Sequence, residues 1–192
     1  MIFSKVNWAG LLQNCATVCK SSPAPMGPEI AQKIDRLPAF ETVIPKTEQS
    51  FSPPQPLLDN AFGQSLQPLL PFLPWTLRYR TDDPEQEKYG WVELVGPDGV
   101  QSAKDFRLGI FWQAPWENYP PHQHNAEELY CIISGEAEWQ RGQEHFRPRP
   151  AGASFFHSSR QIHSTRTGSE PILALWAWQG QIDWESYSVK PL

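Results

Sequence analysis

Tyr119-Pro-Pro-His-Gln-His-Asn-Ala-Glu-Glu-Leu-Tyr130, closed by Gly135, decides how this chain reads. The stretch puts His122, His124, Glu128 and Tyr130 at even-numbered positions. Along an extended strand, alternate residues point to the same face, so the spacing predicts that these four side chains converge. Imidazole nitrogens and a carboxylate in that pattern suit a first-row divalent metal, with Tyr130 beside them as ligand or base.

Outward from this stretch, everything after Trp75 reads as short strands between turn residues. The segments are Thr76–Tyr79, Trp91–Val95, Leu108–Gln113, Leu129–Ser134, Ala137–Arg141, Ala153–His157, Gln161–Arg166 and Ile172–Trp178. Gly96-Pro-Asp-Gly, Ser134-Gly-Glu, Arg141-Gly-Gln and Thr167-Gly-Ser supply turn chemistry between them. Many short strands at close spacing predict an antiparallel barrel or jelly roll. Before Trp75 the pattern is helical and broken by proline. Phe3, Val6, Leu11, Leu12, Cys15 and Val18 make a loose helical stripe over 2–20. A second helix is predicted from Pro28 to Leu37, and a short one near Leu57–Leu66. Residues 1–74 thus read as a proline-rich helical extension and 75–192 as the barrel domain.

Composition narrows the function classes. A net charge of −5 without a Lys/Arg cluster speaks against a nucleic-acid or anionic-membrane partner. The stretch around Trp8–Leu12 is too short and too interrupted by Asn and Gln for a signal peptide or membrane span. Of the three cysteines, Cys15 and Cys19 lie one helical turn apart, and Cys131 faces opposite to Tyr130 on its strand. A reducing, cytoplasmic setting fits this usage. Exposed barrel faces leave room for a homodimer.

The stretch supplies only part of a metal site. His163 is predicted to complete it, because a turn through Ser158–Gln161 points it inward. His157, at the end of a Phe155-Phe156 strand, is predicted to be an outer histidine.

His122-x-His124-x-x-x-Glu128, with Gly135 closing it, resembles the first motif of the cupins, and His163 followed by Thr167 resembles the second. Tyr130, the run Ala174-Leu-Trp-Ala-Trp-Gln-Gly180 and the proline-rich helical start resemble one branch, the cupin-type lyases of dimethylsulfoniopropionate (DMSP). Ser158 and Arg160 stand where the second motif usually has Pro and Gly, Thr167 stands for its Asn, and Ser154 where an acidic residue is often seen. The resemblance implies a mainly β fold: a cupin double-stranded β-helix with an N-terminal α-helical extension. It implies one divalent transition metal held by His124, Glu128, Tyr130 and His163, with His122 lining the site or adding a ligand. Zinc and iron come first for such a site, manganese and nickel next.

The implied activity is β-elimination of DMSP to dimethyl sulfide and acrylate. Tyr130 is the first choice for the base. Tyr119 is the second, as alternative base or as hydrogen-bond donor to the substrate carboxylate. A sulfonium cation is attracted by aromatic faces, and among Trp112, Trp139, Trp176 and Trp178 the resemblance selects Trp178. The alternatives are another metallocupin enzyme, an oxygenase or isomerase, and a non-catalytic small-molecule-binding cupin.

Overall fold

The computed structural model describes residues 7–40, 51, 53, 61–79 and 87–190. Helices α1 (Trp8–Ser21), α2 (Met26–Asp35) and α3 (Ala61–Leu66) come first. At the start of α1 the Asn7 side chain accepts a hydrogen bond from Gly10 N at 2.9 Å, satisfying an amide that a first turn leaves free. Trp8, Leu11, Leu12, Cys15 and Cys19 bury one stripe of this helix. α2 begins at Met26 rather than at the predicted Pro28. Proline fits there because first-turn amides have no intrahelical acceptor to lose. The predicted helical positions Phe3 and Val6, and residues 57–60, lie outside the described residues.

Among the described residues the strands are β1 (Thr76–Tyr79), β2 (Glu87–Gly96), β3 (Gln101–Ser102), β4 (Phe106–Gln113), β5 (Asn118–Gln123), β6 (Ala126–Ser134), β7 (Glu136–Arg141), β8 (Arg147–Pro150), β9 (Ser154–His157), β10 (His163–Thr167), β11 (Ile172–Gly180) and β12 (Ser188–Val189). The larger sheet runs β1-β2-β4-β11-β6-β9 with β3 beside β2, and the smaller runs β12-β5-β10-β7-β8. The β2–β3 pairing is parallel; the long ladders joining β2, β4, β11 and β6 are antiparallel. The two sheets enclose a shared interior where Phe111 and Tyr130 of the larger meet Trp139 of the smaller. This is the mainly β jelly-roll barrel of the cupin double-stranded β-helix, with an N-terminal helical extension.

Strands β3, β8 and β12 are absent from the sequence reading. β8 is Arg-Pro-Arg-Pro, and two prolines argue against a strand unless it sits at an edge, which is its place in the smaller sheet. The β6–β7 turn needs Gly135: its φ is +76°, and a Cβ there would run into the carbonyl oxygen of Pro171. The outer face of the larger sheet packs on the helices through one continuous cluster, from Leu11 and Ile30 to Leu94, Leu108, Leu129 and Leu175. No helix among the described residues is long and apolar enough to cross a membrane.

Candidate metal centre

The four residues of the opening stretch do not share a strand. His122 lies on β5 of the smaller sheet, Glu128 and Tyr130 on β6 of the larger, and His124 in the crossing between them. They meet because the chain changes sheet at His124-Asn125, not because one strand alternates. The crossing is held by Arg160 N donating to His124 O at 2.8 Å and Asn125 N donating to Ser186 Oγ at 3.1 Å. Arg160 has φ +62°, left-handed backbone that costs a side-chain-bearing residue about 1–2 kcal/mol. The glycine usual in the second motif avoids that strain, and Arg160 keeps the same turn without it. Thr167 likewise turns structural: its Oγ1 donates to Ala114 O at 2.6 Å and accepts from Glu117 N at 3.0 Å.

β10 lies against β5 with His163 opposite His122, which brings the distant histidine into the same place. His122, His124, Glu128 and His163 are each at most 2% exposed. His124 Nε2 and His163 Nε2 stand 3.2 and 3.0 Å from one oxygen, Glu128 Oε2. Candidate ligand atoms of His122, His124 and His163 all lie within 4.8 Å of one another.

The backbone sets the tautomers. His122, His124 and His163 turn Nδ1 to the carbonyls of Pro120, Ala126 and Gln161 at 2.8, 3.1 and 2.9 Å. A carbonyl only accepts, so Nδ1 carries the hydrogen and, in a neutral ring, Nε2 keeps its lone pair. Lone pairs of Nε2 then face lone pairs of Oε2 in a buried space, and among the described residues no donor reaches His163 Nε2. A divalent cation resolves that conflict. Donors 3.0–3.2 Å apart also match neighbouring ligands on an ion with bonds of about 2.1 Å. The residues fit a metal.

His157 corrects the sequence reading. It is fully buried on the inner side, with its ring stacked on His163 at 4.0 Å and 11°. Its alternation with Phe156, which faces the helices, turns it inward. It also lies within 4.8 Å of Glu128 and His163 as a candidate ligand. However, its Nε2 accepts the indole hydrogen of Trp139 at 3.1 Å, so that lone pair is already engaged. Burial and the neighbouring His163 hold its pKa at about 3.

Burial opposes charge on Glu128, yet positive charge at the positions of His124 and His163 holds its carboxyl well below the usual range, the sign of interaction that a cation among them would give. Burial and His163 push His122 well below the ordinary imidazole value. Tyr130 is driven well above the ordinary phenol value by burial and by Glu128. Tyr119 is raised by burial and by Tyr187 and Tyr130, and its hydroxyl lies 2.9 Å from that of Tyr187.

Above these groups opens a cavity of about 360 Å³, lined by Tyr119, His122, Glu128, Tyr130, Trp178 and Trp184 among others. Trp178 Nε1 donates to Glu128 Oε1 at 2.7 Å. Trp176 enters the interior over Gly109, where a Cβ would collide with its ring. Trp112 instead faces the helices, against Phe51 at 5.0 Å, and Trp139 sits under Tyr130 at 4.8 Å. Sequence reading missed Trp184 and Tyr187, which follow β11 in an irregular segment and return over the cavity mouth. Arg107 ties that segment down: Nε donates to Ile182 O at 2.8 Å, Nη1 pairs with Glu93 and Asp98, and the guanidinium lies 5.2 Å from the Trp184 ring. Two aromatics close behind a strand were the available signal, but Arg107 holds Trp184 and the Tyr119 hydroxyl holds Tyr187.

A family profile described as dimethylsulfoniopropionate lyase matches residues 17–174. The chain belongs to the DMSP lyase family. Among curated relatives, the DMSP lyase DddQ of Ruegeria pomeroyi is 31% identical over 112 residues, 57% of this chain and 56% of that protein. The putative DMSP lyase DddL of Cereibacter sphaeroides is 30% identical over 95 residues, 48% of this chain and 39% of that protein. The aligned stretches thus span about half of those relatives' length or less. A chain from the crystal structures of the DMSP lyases RdDddP and RnDddQII superposes with TM-score 0.72 at 21% identity, covering 96% of this chain and 97% of that one. The crystal structure of DddQ from Ruegeria pomeroyi gives 0.64 at 23% identity, with 94% and 96% covered. At these identities the structures establish the fold of the family, helices included.

Proposed function

We propose that the chain is a metal-dependent DMSP lyase that eliminates dimethyl sulfide from DMSP and leaves acrylate. The observation that carries this reading is a buried imidazole–carboxylate cluster at the floor of an aromatic cavity, with a tyrosine on the same strand as its carboxylate. His124, Glu128, His163 and Tyr130 would hold the metal, with His122 lining it or adding a ligand. Zinc or iron suits this donor set first, manganese or nickel next. A bound divalent cation supplies Lewis acidity to the substrate carboxylate and lowers the pKa of an adjacent phenol.

The chain's own groups do the rest. The Tyr130 oxygen takes the proton from the carbon next to the substrate carboxylate. The electrons of that C–H bond form the C=C bond of acrylate, and those of the C–S bond leave with sulfur as neutral dimethyl sulfide. Tyr119, kept protonated by burial and Tyr187, donates a hydrogen bond to the carboxylate and is the second choice for base. Trp178, with Trp176 and Trp184 beside it, offers aromatic surface to the sulfonium, worth about 0.5–2 kcal/mol per desolvated ring.

Residues 1–74 serve in this reading as a helical extension and 75–192 as the catalytic barrel. Three buried free thiols support a reducing, cytoplasmic setting, with a small-molecule substrate, neither nucleic acid nor membrane as partner, and a homodimer open to the barrel faces. Anaerobic incubation of metal-analysed protein with DMSP tests the activity. Stoichiometric acrylate and dimethyl sulfide are expected; a requirement for dioxygen, or metal and DMSP binding without acrylate, would overturn it.

A further inference from the structure

The indole edge of Trp178 is committed to a ligand. Trp178 lies directly opposite Glu128 in the β6–β11 ladder, and its Nε1 donates to Oε1 at 2.7 Å in the buried interior. That bond leaves the other oxygen, Oε2, as the one facing His124 Nε2 and His163 Nε2. Two rings pack against the indole. The His124 imidazole lies 4.1 Å away at 31° and Trp184 lies 4.4 Å away at 50°. An indole N–H only donates, so it binds a carboxylate oxygen without competing for a cation. Hydrogen bonds of this kind to ligating carboxylates fix their orientation and raise metal affinity.

We propose that Trp178 is a positioning residue that fixes Glu128 as a one-oxygen metal ligand, beyond any contact it makes with the sulfonium. The inference rests on the metal site proposed above. The hydrogen bond to Glu128 Oε1 and a tilted ring contact with His124 meet on a single side chain, so its loss disturbs two ligands at once. Its aromatic face is shared by Trp176 and Trp184 at the same cavity, whereas the bond to Oε1 is its own.

The test is zinc affinity, measured by chelator competition on wild type and W178F, with circular dichroism of the metal-free proteins as the fold control. Where W178F fails to fold, an isosteric analogue with sulfur in place of the indole N–H is introduced at position 178. About a 10–100-fold weaker affinity is expected, the range for loss of such supporting bonds, with intact secondary structure. Unchanged zinc affinity with only a higher KM for DMSP would overturn the inference while leaving the metal reading in place. A wild-type chain that takes up neither zinc, iron(II), manganese nor nickel would overturn that reading itself and this inference with it.

Discussion

The larger sheet has two faces built by the same strands, and they differ in kind. On β6 and β11, Leu129, Cys131, Leu173, Leu175 and Ala177 pack against the helices in an aliphatic cluster. One residue along, Tyr130, Ala174, Trp176 and Trp178 face the barrel interior, where rings predominate. Glu128 and the imidazoles lie on this inner side. Apolar contact on the outer face is non-directional and stabilises through area removed from water. The inner face depends on direction: Nδ1–H to a carbonyl, indole N–H to Oε1, Nε2 toward Oε2. The period of two lets one strand serve both demands, because a side chain on one face never meets the other. Scaffold and site should therefore respond separately to substitution.

The largest effect should come from the inner face. Tyr130→Phe removes only a hydroxyl, and acrylate release is expected to fall by about 10²–10⁴-fold, the usual contribution of a positioned base. The thermal midpoint of the metal-free protein should barely move. Retained turnover would shift the base role to Tyr119 or a water.

A matched pair tests the separation itself. His163→Ala should strip the protein of metal, read by elemental analysis after dialysis. Leu175→Ala, on the outer face and buried, should cost about 2–5 kcal/mol in denaturant unfolding while its metal content stays that of wild type. Metal loss in both variants would mean that the faces are coupled.

The smallest effect concerns pH. His157 is held neutral in the fold, with a pKa of about 3 against an ordinary value of 6.5. Unfolding therefore takes up a proton below the ordinary value. The group's stabilisation is complete above about pH 6.5 and is lost progressively as pH falls toward 3. Thermal midpoints of chelator-treated wild type should fall across that window, and those of His157→Gln should fall less. Parallel slopes in the two proteins would remove His157 as the source.

Much of the barrel was legible because strand alternation and turn residues are local. The segment Thr76–Tyr79 appears as read, and the others differ by a few residues at their ends. β8 and β12 were not legible, since each pairs at one edge only and carries little apolar signal of its own. In the site, the residue types were visible and their partners were not. His157 read as an outer residue because nothing in Phe155-Phe156-His157 says which side the helices cover. Trp184 and Tyr187 were missed because their places depend on Arg107 and Tyr119, far away in sequence.

By itself, then, the sequence determined which donors the chain carries and where turn residues break its strands, and it pointed to His163 as the expected partner of the first cluster. Only the tertiary structure decided how they meet. The stretch from Tyr119 to Tyr130 changes sheet at His124, and two ladders set the rest: β10 on β5 carries His163 to His122, and β11 on β6 sets Trp178 against Glu128. The physical reason is reach. Side-chain parity is written in neighbouring residues, whereas sheet order and register follow from burial and pairing summed over the whole chain.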